Sequence, residues 1–78
     1  MKVRVYSTPT CPYCRMAKAF LKERNIDYVD IDVSSDRAGR DEMIKKSGQM
    51  GVPVIDIDSK IVVGFDRDRI QRLVEEGD

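Results

Sequence analysis

The sequence predicts an α/β domain of order β-α-β-α-β-β-α, in which three helices cover a four-stranded mixed sheet. Three observations carry that expectation. Apolar and polar residues alternate from Lys2 to Ser7 and again from Ile26 to Val33, the pattern of half-buried strands. Between those stretches Met16, Ala17, Phe20 and Leu21 recur at spacings of three and four, so a helix joins the two strands. A strand–helix–strand unit of this kind requires a parallel pair and a right-handed crossover. Finally, Val54–Ile57 and Lys60–Val63 flank Asp58-Ser59, a hairpin signal that places antiparallel strands in the same sheet. With 78 residues there is room for one small domain, taken as 1–78.

Each element has local reasons to start and stop. Thr8-Pro9-Thr10 breaks the first strand. Thr10 is read as the N-cap of the first helix, with Pro12 in the first turn, where a missing N–H costs little. Asn25 suits the helix exit. In the second strand Val29, Ile31 and Val33 face one way and Tyr28, Asp30 and Asp32 the other. Ser34-Ser35-Asp36 offers capping oxygens to a second helix that runs to about Ser47. Its apolar face is thin, with Met43, Ile44 and Ala38; Gly39 weakens its first turns, and Gly48 fits a left-handed C-terminal position. Asp66 is read as the cap of the last helix, with Ile70, Leu73 and Val74 inward. Phe65 and Ile70 then stand at the positions of a hydrophobic staple, and Gly77 ends the helix.

Composition narrows the chemistry. Lys and Arg together number 14 and so do Asp and Glu, which leaves no basic excess for nucleic acid or an anionic membrane. The opening Met1-Lys2-Val3-Arg4-Val5-Tyr6 is neither a signal-peptide core nor a membrane span, and a cytoplasmic location is the expectation. The chain has no histidine and two cysteines, Cys11 and Cys14. In a reducing compartment a close pair is catalytic or metal-binding rather than a permanent staple. A closed zinc site takes four ligands, mostly Cys and His, so two cysteines and no histidine argue against an intramolecular metal site. Thiol–disulfide exchange remains, beside the bland alternative of two inert thiols.

Placement of the pair at a helix start supports exchange. Unpaired N–H groups and the positive end of the helix dipole favour an anion there, and the thiolate is the nucleophilic form of cysteine. Cys11 is therefore assigned the attack on an external disulfide. Cys14, one turn further in and more shielded, is assigned resolution of the mixed disulfide, with Pro12 and Tyr13 setting the turn between them. Arg15 and Lys18 are read as exposed helix-face cations, with added stability for the thiolate as the alternative. A proline opening a strand, as Pro53 does, has no N–H to give the sheet and reads by itself as an ordinary trans residue.

The sequence resembles the glutaredoxins, of thioredoxin-like fold. Cys11-Pro12-Tyr13-Cys14 is identical to the dithiol glutaredoxin motif. Gly51-Val52-Pro53 stands where the family has Thr-Val-Pro, and Val63-Gly64-Phe65-Asp66 where many members have Gly-Gly-X-Asp. The resemblance implies a cis Val52-Pro53 bond and glutathione as co-substrate, with no cofactor or metal bound. It also implies a groove for glutathione or a substrate chain, lined by Tyr13, Val52 and Pro53, with Gly64, Phe65 and Asp66 at the γ-glutamyl end. Two departures stand out. Thr8 and Pro9 offer no counterpart to the basic residue that many members carry before the first Cys, and Val63 replaces the first Gly. These features resemble the small glutaredoxin-like electron donors of ribonucleotide reductase, some of which are reduced by thioredoxin reductase.

The leading expectation is a monomeric oxidoreductase that reduces protein disulfides and glutathione mixed disulfides through Cys11 and Cys14. The alternative is an electron donor that thioredoxin reductase recharges and ribonucleotide reductase consumes. Two further readings rank below these: an iron–sulfur cluster carrier, disfavoured by the Cys-Pro-Tyr-Cys motif, and a redox-regulated binding module.

Overall fold

In a computed structural model that describes residues 1–77, the chain forms β1 (Val3–Ser7), α1 (Pro12–Glu23), β2 (Val29–Asp32), α2 (Arg37–Ser47), β3 (Val54–Ile57), β4 (Lys60–Val63) and α3 (Arg67–Glu76). The strands lie in the order β2-β1-β3-β4. β1 and β2 are parallel, with Val5 opposite Asp30. The β1/β3 and β3/β4 pairs are antiparallel, with Tyr6 opposite Val54 and Ile55 opposite Val62. This is the expected topology.

The period of two in β1 and β3 sends successive side chains to opposite faces, and each face has its own cover. Val3, Val5, Ile55, Ile57 and Val62 pack under Ala17, Phe20 and Leu21 of α1 and Ile70, Leu73 and Val74 of α3. On the other face Tyr6 and Val54 meet Met43 of α2, with Val33 buried and Ile31 and Ile44 half-buried beside them. Both central strands are thus covered on two sides.

Two boundaries differ from expectation. The second strand was expected from Ile26 but begins at Val29. Asn25 takes a left-handed conformation (φ 58°). Asn25 N–H then donates to Lys22 O at 3.0 Å and Ile26 N–H to Leu21 O at 3.0 Å, the paired closure of a Schellman motif. Ile26 is therefore spent on ending α1. The first helix is capped by Cys11, not Thr10: Cys11 has extended backbone, and its sulfur accepts from Cys14 N–H. Cys11 N–H reaches back to Thr8 O at 3.4 Å, so Thr10 sits inside a turn and the helix starts one residue later.

Other ends form as read. Asp36 caps α2, Gly48 closes it at φ 72°, and Asp66 caps α3. Ala38 is exposed, however, and Gly39 is the buried residue of α2's first turns. A Cβ built at Gly39 would lie 2.5 Å from Ile31 Cγ2, so glycine there lets the helix approach β2 closely. The Asp58-Ser59 turn has both residues at positive φ, 50° and 74°, as a type I′ hairpin turn requires. Neither is glycine, and hydrogen bonds hold them. Lys2 N–H donates to Asp58 Oδ1 at 2.7 Å, and Ser59 N–H to Asp56 Oδ1 at 2.8 Å. No helix among the described residues is long and apolar enough to cross a membrane.

Candidate active site

Every group of the cysteine motif sits at the junction of β1 and α1. As N-cap, Cys11 leaves its side chain at the mouth of the helix, where its half-buried sulfur accepts the Cys14 N–H at 3.2 Å. This satisfies one of the donors that a helix start leaves unpaired. Pro12 and Tyr13 form the exposed first turn, and Tyr13 keeps 62% of its surface open. Cys14 points the other way and is fully buried. Burial first, then the hydrogen bond with Cys11, pushes its thiol up to about 11, against partial relief from the Thr8 backbone and the Lys18 charge. Both thiols are free in this structure. One is accessible and the other is shielded, with two residues between them.

The loop before β3 forms the facing wall. Val52-Pro53 is cis, and the Cys11 thiol lies 4.0 Å from the Val52 carbonyl oxygen, the long limit of a sulfur hydrogen bond. Pro53 is buried and Val52 half-buried. The third motif is tied to this loop by Gly64 N–H, which donates to Pro53 O at 2.8 Å. Gly64 has φ 80°, a conformation that favours glycine. Phe65 turns inward and meets Phe20 edge-on, with ring centroids 6.0 Å apart. Asp66 is exposed and accepts Arg69 N–H at 3.2 Å. The structure therefore brings Cys11, Val52, Pro53 and Gly64 together, and gives Phe65 and Asp66 packing and capping partners of their own.

Comparison with known proteins agrees with this arrangement. The Glutaredoxin family profile matches residues 3–62. A glutaredoxin-like 8.6 kDa protein from the rubredoxin operon of Clostridium pasteurianum is 51% identical over 73 residues, covering 94% of this chain and 97% of that one. The chain belongs to the glutaredoxin family. Glutaredoxins are thiol–disulfide oxidoreductases, and so this chain is an enzyme of that class. Glutaredoxin 3 of Escherichia coli is 41% identical over 64 residues, 82% of this chain and 77% of that one. Among solved structures, the glutaredoxin-like NrdH-redoxin of Escherichia coli, described as having a thioredoxin-like activity profile, superposes with a TM-score of 0.82 at 26% identity. It covers 94% of this chain and 95% of that one.

Within this glutaredoxin Arg15 is an exposed face residue, as expected, and Lys18 is not. Arg15 reaches back to the Pro9 carbonyl at 3.1 Å and braces the loop before Cys11. Lys18, with 22% of its side chain exposed, bonds Asp30 at 3.0 Å and Ser7 Oγ at 3.3 Å. The Ser7 hydroxyl in turn donates to Asp30 Oδ1 at 2.7 Å. Sequence reasoning missed Ser7 and Asp30. The parallel register that sets Val5 against Asp30 was the only signal for this cluster, and it is not written in either strand alone.

Proposed function

We propose that Cys11 and Cys14 work as a dithiol couple that reduces protein disulfides and glutathione mixed disulfides, with glutathione as co-substrate. One observation carries this reading: an accessible cap thiol, Cys11, whose sulfur accepts the backbone N–H of Cys14, one turn later, where the side chain is fully buried. Cys11 thiolate attacks one sulfur of the target disulfide, forms a mixed disulfide and releases the first target thiolate. Cys14, deprotonated, attacks Cys11 Sγ; the Cys11–Cys14 bond forms and the second target thiolate leaves. Two glutathione thiols then return two electrons to the couple and leave as glutathione disulfide. Tyr13, Val52 and Pro53 line the approach to Cys11, and Gly64, Phe65 and Asp66 mark the far end of the groove.

The same reading takes residues 1–78 as one cytoplasmic, monomeric domain with disulfide-bearing proteins as partners, and neither nucleic acid nor membrane.

A second reading has specific support. Asp66 is engaged as the α3 cap, Val63 stands in place of a glycine, and no basic residue precedes Cys11 at Thr8 or Pro9. These features favour an electron donor recharged by thioredoxin reductase and serving ribonucleotide reductase, and NrdH-redoxin is a structural relative. One coupled assay decides between them. NADPH consumption is followed with glutathione and glutathione reductase, then with thioredoxin reductase, using a protein disulfide as acceptor. Turnover with glutathione supports the first reading, and turnover only with thioredoxin reductase replaces it by the second. A Cys11→Ser variant that retains turnover in either system sinks both.

A further inference from the structure

The resolving step poses a problem that the cysteine motif does not solve. Cys14 is fully buried, so baring a thiolate there removes its hydration, and burial by itself strongly favours the neutral thiol. Yet resolution needs that thiolate. One turn further along α1, on the same face, stands Lys18. Its ammonium is not left to solvent. Ser7 Oγ, on a fully buried β1 residue at the end that runs into the active-site loop, and Asp30 Oδ2 on β2 hold it at 3.3 and 3.0 Å. The Ser7–Asp30 hydrogen bond fixes these two partners relative to each other.

We infer that Lys18, held by Ser7 and Asp30, is a positioning residue for the resolving step, its fixed ammonium favouring ionisation of the buried Cys14. The inference rests on Cys14 being the resolving thiol. Burial and the neighbouring Cys11 sulfur oppose the Cys14 thiolate most strongly, and the Thr8 backbone and then the Lys18 charge favour it. Asp30 and Asp32 on β2 place negative charge near Lys18 and temper its effect. Formation of the mixed disulfide removes the opposing charge, because Cys11 sulfur is then bonded to the target and carries none. The balance shifts towards the Cys14 thiolate at the moment it is needed. Its proton passes to solvent, the Cys11–Cys14 bond forms, and the target leaves as a thiolate.

Such a role separates from a structural one by charge sign. Reduced protein is mixed with hydroxyethyl disulfide and quenched in acid, and the mass of the Cys11 adduct is followed with time from pH 5 to 10. The wild-type adduct decays, whereas the Cys14→Ser adduct persists; if the two persist alike, Cys14 does not resolve and the functional reading itself fails. Given that decay, Lys18→Met lowers the ratio of adduct decay to adduct formation about twofold, and it moves the pH midpoint of decay up by the matching few tenths of a unit, the same effect expressed as a proton affinity. Lys18→Arg restores most of the ratio. Asp30→Asn, which removes the tempering charge, moves the midpoint down. Opposite shifts for Lys18→Met and Asp30→Asn establish the inference. Shifts in the same direction, or none, overturn it, and the Lys18→Arg and Asp30→Asn profiles decide the matter even where Lys18→Met fails to fold.

Discussion

The Cys14 backbone N–H donates to Cys11 Sγ at 3.2 Å while the Cys14 side chain is fully buried, so a single hydrogen bond joins the most and least accessible thiols of the molecule. Burial disfavours charge on Cys14. The expected consequence is sequential alkylation. At pH 7.5, iodoacetamide followed by peptide mass mapping labels Cys11 at least ~30-fold faster than Cys14, whose thiolate fraction stays small well below its raised pKa. Comparable labelling rates would contradict the asymmetry.

Cys14 also leaves a mark on stability at high pH. Its thiol is raised from 9.0 to about 11, chiefly by burial. Below pH 9 both folded and unfolded chains keep the proton, and the full stability is present. Between the two values the unfolded chain ionises while the folded one resists, so stability falls as pH rises. Above the folded value no further loss accrues. The expected loss is on the order of 2 kcal/mol. Urea unfolding at pH 8 and pH 10.5 measures it, and Cys14→Ala removes this part of the slope.

At the acid end Glu42 is one of the groups that contribute. The Tyr6 hydroxyl donates to its carboxylate, Lys46 bonds it at 3.0 Å, and together they hold Glu42 down to about 2. Lys46 also reaches the buried Asp56 at 2.7 Å. A depressed carboxylate contributes stability that is present above its unfolded value near 4.5 and is lost as pH falls towards 2. Melting temperatures recorded between pH 6 and pH 2.5 therefore fall less steeply for Glu42→Gln than for the wild type. Lys46→Met is the harsher change. It leaves Asp56 without its cation and costs about 2 kcal/mol even at neutral pH, less than a fully buried pair because Lys46 is 28% exposed.

Gly39 offers a test in which helix propensity and packing disagree. Alanine is the better helix former by about 1 kcal/mol. Its Cβ, however, would lie 2.5 Å from Ile31 Cγ2 and 3.0 Å from the Asp36 carboxylate that caps α2. Ile31 is β-branched and cannot swing that methyl aside freely. Gly39→Ala is therefore expected to destabilise by about 1–2 kcal/mol overall. In a double-mutant cycle, Ile31→Ala relieves part of the penalty, and strict additivity of the two changes would show that the clash is absent.

The order of elements, the hairpin, the caps at Asp36 and Asp66, and the inward faces of α1 and α3 were legible in the chain because each is a local pattern. What escaped was set by neighbours distant in sequence or by unusual chemistry. Sulfur is not a customary cap, so Thr10 looked the better candidate than Cys11. Ile26 fits an alternating strand as well as a Schellman closure, and only the left-handed Asn25 decides. The Tyr6–Glu42–Lys46–Asp56 network joins β1, α2 and β3. Its one readable link was the i,i+4 pair of Glu42 and Lys46; the rest follows from a register that sets Arg4 against Asp56. Lys18 looked solvated for the same reason, since its partners Ser7 and Asp30 lie on two other elements.

Asp66 carries the last prediction, because the cap seen in the structure and the groove role of the proposed glutathione reading fall on one carboxylate. As a cap it accepts Arg69 N–H at 3.2 Å, and its loss should cost about 1 kcal/mol. As a groove residue in the proposed glutathione reading it would also accept from the γ-glutamyl ammonium. Serine separates the roles, since its hydroxyl caps a helix nearly as well and carries no charge. Asp66→Ala is expected to lower the melting temperature, and Asp66→Ser to leave it within a degree or two. If the carboxylate binds the ammonium, Asp66→Ser raises KM for glutathione roughly tenfold, the worth of one charge-assisted hydrogen bond. Its kcat should change little, and so should its rate with thioredoxin reductase. An unchanged KM in a stably capped Asp66→Ser protein would leave Asp66 with the cap alone and turn the reductant question towards thioredoxin reductase.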